Sequence, residues 1–264
     1  MSRGKEFFYF TNNFDIDILM LNWLNNEVSM RKPIIGIVAK YVEEVEGRQE
    51  AMVRDELKNA ILDNGGIVIG ILPSETKLEF TPIGKDSWDD YLSVQQKNDL
   101  ICQINLCDGI ILQGGKDSLK YESFIAKYTF DNDIPTLGVC AGQNAMVRAV
   151  GGTTKRVLNP EKHKQMRAEL VHKIFIDENS KFFKIVGLKE MMVNSRHNKT
   201  IDDPTENYKV SAVCEDGYPD VIEAQNKKFN IALRFHPESL YKKYKEHNNI
   251  FKAFVEECKK SCFR

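Results

Sequence analysis

The sequence predicts an α/β domain built on a doubly wound, mostly parallel sheet, with antiparallel strands in its C-terminal half. Three observations carry this. Short apolar runs such as Ile34–Ala39 and Gly109–Leu112 show no polar alternation, the pattern of strands covered on both faces. Stretches of helical periodicity separate them, and strand–helix alternation winds a parallel sheet. One apolar run, Thr136–Val139, passes straight into Cys140 and a helix.

Along the chain, residues 1–31 are rich in Asn and aromatics and are expected to form an N-terminal extension, with a short helix around Ile16–Asn25. Residues 32–264 are expected to form one domain. Ile34–Ala39 is the first buried strand. Gln49–Asp63 carries apolar positions at Met52, Val53, Leu57, Ile61 and Leu62 and predicts a helix, which Asn64-Gly65-Gly66 stops. Ile67–Leu72 is a second buried strand, ended by Pro73, and residues 75–87 are polar and irregular, as in a loop. Trp88–Leu106 predicts a helix, Gly109–Leu112 a strand, Glu122–Tyr128 a short helix, and Thr136–Val139 a strand followed by a helix through Ala149. Beyond Gly151-Gly152, strands are expected at 171–176, 191–194, 209–214, 221–224 and 230–235, the last two forming a hairpin across Asn226-Lys227-Lys228. Tyr241–Lys260 closes the chain as a helix.

A formal net charge of −1 over 264 residues gives no general attraction to nucleic acid or anionic membranes. No apolar run approaches the roughly 20 residues that span a bilayer. Phe7–Phe10 is broken by Asn12, Asn13, Asp15 and Asp17, so no signal peptide is expected. The six cysteines form no Cys-x-x-Cys pair, and no His pair stands at zinc-finger spacing, so no metal site is expected. Reduced thiols and a cytoplasmic location are the default expectation.

Four segments carry chemistry. In Gly138-Val139-Cys140-Ala141-Gly142, flanking glycines allow the sharp strand-to-helix turn of a nucleophile elbow. The helix behind it points its positive end at the sulfur and favours thiolate, the attacking form. In Phe235-His236-Pro237-Glu238, residues two apart on a strand end would project to one side, so Glu238 can hold the His236 imidazole. Gly114-Gly115 ends a strand at the carboxyl edge of the sheet, where ligands sit in such folds. The amides of Gly115 and Ala141 are the candidates for an oxyanion hole. Met192-Val193-Asn194-Ser195-Arg196-His197 is a polar strand end that gains meaning only beside the others.

Taken together and in chain order, these segments, with Asp216-Gly217 and Glu223-Ala224, resemble the γ-glutamyl hydrolase-like branch of class I glutamine amidotransferases, which includes γ-glutamyl-γ-aminobutyrate hydrolases. The likeness covers roughly residues 32–257. It implies a flavodoxin-like sheet, no cofactor, and a triad of Cys140 as nucleophile, His236 as base and Glu238 as orienting acid. It also implies that Gly114, Asn144, Asn194, Ser195 and His197 bind the glutamyl part, with Arg196 meeting a carboxylate on the leaving group. The sequence departs from the family's Cys-x-Gly-x-Gln at Asn144, and Asn198 and Lys199 follow His197 where the family often has His and Gln. These departures fall in the substrate pocket and leave the triad intact.

The expected activity is cleavage of a γ-glutamyl amide through a thioester. One alternative is a glutaminase subunit that passes ammonia to a separate synthase, which would then be a required partner. A second is a catalytically silent binding module on the same fold. Beyond the small-molecule substrate, exposed sheet edges or helices could support a homodimer.

Overall fold

The computed structural model describes residues 31–43, 49–74, 92–115 and 120–261. The chain divides into two units, Met1–Arg31 and Lys32–Arg264. All strands and helices among the described residues belong to the second unit. The expected helix at Ile16–Asn25 and the loop at 75–87 lie outside the described residues.

One sheet of nine strands organises this unit. Its parallel half comprises β1 (Ile34–Val38), β4 (Ile67–Ile71), β5 (Gly109–Leu112), β6 (Thr136–Val139) and β13 (Asn230–Leu233). Its antiparallel half comprises β12 (Pro219–Glu223), β11 (Lys209–Cys214), β8 (His172–Ile176) and β9 (Glu190–Val193). Across the sheet the order is β4-β1-β5-β6-β13-β12-β11-β8-β9. Two small two-stranded sheets stand apart, β2 (Lys40–Glu43) with β3 (Gln49–Met52), and β7 (Thr153–Arg156) with β10 (Lys199–Asp203).

Side-chain alternation sorts the strands onto two cores. Ile35, Ile37, Ile111, Leu137, Val139, Ile231 and Leu233 point to one face, where helices α1 (Asp55–Asp63), α6 (Lys181–Val186) and α7 (Lys245–Ser261) pack. Val38, Ile110, Leu112 and Ala232 point to the other, beneath α2 (Val94–Ile104), α3 (Lys120–Asp131) and α4 (Ala141–Ala149). This two-faced cover is why the strands read as unbroken apolar runs. The short helix α5 (Pro160–His163) follows β7. Among the described residues no helix is long and apolar enough to cross a membrane.

Three expectations need correction. Residues 49–52 are not helical. They pair antiparallel with β2, and the helix begins only at Asp55 after extended Arg54. The apolar residues Met52 and Val53 thus fit helical spacing by coincidence. β4 is not buried on both faces: it ends the sheet, and Ile67 is 43% exposed. Of the helix expected from Trp88, residues 88–91 lie outside the described residues, Leu92 and Ser93 are not helical, and α2 starts at Val94, where Ser93 and Gln96 close a reciprocal capping box that satisfies the first free amides.

Candidate functional site

Sheet order brings the three chemical segments together. β6 lies between β5 and β13, parallel to both, with Leu112 beside Gly138 and Leu233 beside Val139. The chain therefore leaves all three strands at one edge, carrying Gly114-Gly115, Cys140 and His236. The Cys140 amide donates to Leu233 O at 2.8 Å, which extends this alignment to the elbow.

The elbow is strained, as the glycine pattern implies. Cys140 has φ 51° and ψ −103°, a region a non-glycine residue occupies only when its surroundings enforce it. Two glycines make the turn possible. A Cβ on Gly142 would lie 2.0 Å from Leu112 O, and one on Gly138 2.4 Å from Met146 Sδ. α4 thus starts in direct contact with β5, and as its first residue Ala141 has no partner for its amide within the helix.

The Cys140 sulfur and the His236 ring interact directly, each shifting the other's pKa, and His236 Nδ1 meets Glu238 Oε1 at 2.7 Å. Nδ1 is thereby taken, leaving Nε2 for the sulfur. Burial alone would raise the thiol pKa, but the positive His236 ring and then Arg234 outweigh it, and the net shift is downward. Burial likewise opposes charge on His236, yet Glu238 and Cys140 hold its pKa well above the ordinary value. Glu238 is buried too, and its positive neighbour His236 keeps it ionised, with a lowered pKa. These shifts favour thiolate on Cys140 and positive charge on His236, with the Glu238 carboxylate against the ring.

Two details differ from the sequence reading. His236 and Glu238 do not meet by strand alternation, because β13 stops at Leu233. A 3₁₀ turn over Pro237–Ser239 swings the carboxylate back to the ring instead. Cys140 is also less open than an elbow sulfur is expected to be, at 8% exposed. It nevertheless lines a cleft of about 550 Å³, together with Gly115, Ala141, Asn144 and His236.

The expected substrate residues separate into two groups. Asn144, Arg196 and His197 line the cleft. Arg196 reaches Ser239 Oγ at 3.1 Å. His197 is held neutral, with a pKa pushed down to about 2 chiefly by burial and then by Arg234. Gly114, Asn194 and Ser195 do not line it. A Cβ on Gly114 would stand 2.7 Å from His236 Cε1 and 3.2 Å from Cys140 Cβ, so this glycine is the space in which the pair meets. Asn194 spends its amide on the His236 backbone, accepting from N at 2.7 Å and donating to O at 2.8 Å. Ser195 Oγ donates to His163 O at 2.6 Å. All three support the site from behind.

Four further residues, Arg234, Lys40, Gln113 and Arg54, shape the site without standing out in the sequence. Arg234 is buried and donates to Asn144 Oδ1 at 2.9 Å and to Cys140 O at 3.3 Å. A charge inside an apolar strand end is the available signal. Lys40, paired in the interior with Glu122 at 2.6 Å, lines the cleft beside Gly115. Gln113 is wholly buried. It donates to Val38 O and Met52 O and accepts from Arg54 N, which places Arg54 at the cleft. Glu223 of the expected Glu-Ala step lies away from the cleft and caps α6, accepting from Lys181 N and Phe182 N.

The Peptidase C26 family profile matches residues 119–238, a span that contains Cys140, His236 and Glu238. A glutamine-hydrolysing GMP synthase of Alkaliphilus metalliredigens is 33% identical over 132 residues, which is 49% of this chain and 24% of that protein. A CTP synthase of Chlamydia trachomatis is 23% identical over 85% of this chain and 43% of its own length. The chain thus spans about a quarter to under half of these relatives. Among solved structures, the acivicin-bound glutaminase domain of Trypanosoma brucei CTPS matches with a TM-score of 0.58 at 15% identity, over 86% of this chain and 94% of that one. A glutamine amidotransferase of Thermotoga maritima matches with 0.53 at 15% identity, over 88% and 94%. Fold and neighbours together identify the flavodoxin-like fold of class I glutamine amidotransferases, with the Peptidase C26 likeness lying over the stretch that holds Cys140, His236 and Glu238.

Proposed function

We propose that this chain is a cysteine-dependent hydrolase of γ-glutamyl amides. The contact chain Cys140–His236–Glu238, whose first two members line the cleft, carries the proposal. The Cys140 thiolate attacks the side-chain carbonyl carbon of the glutamyl group, and the Ala141 and Gly115 amides take the oxyanion. The His236 imidazolium gives its proton to the leaving nitrogen, the C–N bond breaks and a thioester remains. His236, now neutral, takes a proton from water, whose oxygen attacks the thioester and frees glutamate and thiolate.

The walls favour an anionic substrate. Lys40, Arg54, Lys164, Arg196, Lys199 and Arg234 line the cleft, and no Asp or Glu appears among its described lining residues. A glutamyl carboxylate accounts for part of this charge, and a leaving group that is itself acidic accounts for more. Asn144, positioned by Arg234, and His197 are assigned to the glutamyl part, and Arg196 to the leaving group.

The relatives' names favour a second reading, in which the chain is the glutaminase of an amidotransferase and ammonia is passed to a synthase. One assay separates the two. The purified chain is incubated with glutamine, neutral γ-glutamyl amines and γ-glutamyl-glutamate, and glutamate release is measured. The hydrolase reading expects turnover without a partner, fastest for the acidic leaving group, and a loss of at least about 10³-fold in Cys140→Ala. Glutamine turnover that arises only when a synthase is added supports the second reading. Release undiminished in Cys140→Ala would overturn both.

A further inference from the structure

A second cluster of chemical groups lies outside the catalytic chain. His163 ends α5, His172 opens β8 and Cys214 closes β11. All three are buried, and one ligand atom from each lies within 4.8 Å of the other two. The intervals between them, 163 to 172 to 214, match no metal-binding spacing, so nothing in the sequence pattern marks them as ligands.

The hydrogen bonds around the two histidines are specific. His163 Nε2 meets Asp216 Oδ2 at 3.3 Å, and His172 Nε2 meets Asp220 Oδ2 at 2.7 Å. A carboxylate accepts, so each Nε2 carries a proton, and the tautomer with a single proton leaves a lone pair on Nδ1 for a ligand. Both Nδ1 atoms are buried with no hydrogen-bond partner. The rings approach edge to face, with centroids 5.3 Å apart. Leaving two such lone pairs buried and unanswered is costly, and the Cys214 thiol has only one proton to offer. A cavity of about 200 Å³ adjoins the three residues and is large enough for an ion and a water.

We propose that His163 Nδ1, His172 Nδ1 and Cys214 Sγ bind a divalent transition ion of the zinc class. Imidazole nitrogen and thiolate suit such an ion, and the carboxylate behind each histidine is the usual support for a metal-bound ring. Tetrahedral bonds of about 2.0–2.3 Å require a side-chain adjustment of about 1 Å from the present spacing. Water from the adjoining cavity fills the fourth position. Binding converts the thiol to a metal thiolate and releases one proton to solvent.

The location gives the ion a purpose. His163 O accepts from Ser195 Oγ and from His197 N, and the next residue, Lys164, bridges to Arg196 and lines the catalytic cleft. An ion held between α5 and the antiparallel sheet would therefore fix the wall that carries Lys164, Arg196 and His197. It takes no part in bond cleavage.

The test uses the full chain, stripped with a chelator, dialysed and titrated with cobalt(II). Expected is one equivalent bound, with a thiolate-to-cobalt band in the near ultraviolet that zinc displaces. Cys140→Ala should keep the band and Cys214→Ala should lose it. Asp216→Asn, a change at a partly exposed carboxylate, should weaken binding about 10- to 100-fold. The proposal is overturned if wild type shows no such band or if the band survives Cys214→Ala. Should Cys214→Ala fail to fold, undiminished cobalt affinity in Asp216→Asn overturns it on its own.

Discussion

At the scale of single residues, placement separates those that face substrate from those that hold the machinery. Asn194 has both ends of its amide on the His236 backbone and does not line the cleft. Asn194→Ala should therefore lower kcat about 10²-fold by letting the imidazole drift, while KM stays near wild type. Steady-state kinetics on a γ-glutamyl substrate provide the check, and a rise in KM at constant kcat would return Asn194 to the pocket. The Cys, His and Glu of the contact chain are legible in the sequence because each sits in a short motif of fixed spacing. Asn194 and Ser195 are legible as members of the site, but not the side of it they occupy. Whether a polar side chain faces a ligand or a backbone depends on residues far away in the chain, here His236 and His163. Arg234 is legible in principle, as a charge in an apolar run just past β13, yet its partner Asn144 is 90 residues distant.

Among the elements, the junction of β6 and α4 bears the tightest constraint. A Cβ at 142 would stand 2.0 Å from the Leu112 backbone oxygen, and backbone cannot yield as a flexible side chain can. Gly142→Ala should displace the start of α4, cost more than about 2 kcal/mol of stability, and blunt alkylation of Cys140 even where the chain still folds. Urea unfolding together with iodoacetamide labelling measures the two effects. The buried strands β1, β5 and β6 can be read to within a residue, because their apolar runs reflect cover on both faces. The pairing of β2 and β3 escapes such reading in part because β3 is also held by tertiary bonds: Gln113, just past β5, donates to Met52 O of β3 and to Val38 O of β1. β7 and β10, polar and well apart in sequence, offer no periodicity to read.

Over the whole molecule, buried histidines of opposite character set the response to pH. His247 is buried against Phe235 and Tyr244, and burial lowers its pKa to about 4. The unfolded chain, with histidine near 6.5, takes up the proton first as pH falls, so the stability that neutral His247 contributes is lost between about pH 6.5 and 4. His197 acts in the same sense over a longer acid range. His236, raised by Glu238 and Cys140 against its burial, contributes in the opposite sense, with stability lost as pH rises from about 6.5 through its folded value. Urea titrations should find a maximum near neutrality. Between about pH 7 and 5, His247→Gln should remove about 2 kcal/mol of the acid-side loss. A slope unchanged by that substitution would show that His247 does not titrate as described.

The bond pair between Asn194 and His236 joins places that sheet order holds far apart. β9 is the outermost strand of the antiparallel half, and β13 adjoins the elbow strand. The imidazole thus depends on the part of the sheet with the fewest neighbours. Peeling back that outer strand would free the His236 backbone from Asn194 and pull Met191 and Val193 out of one hydrophobic core, so a ligand that displaced this margin would loosen the imidazole without ever entering the cleft.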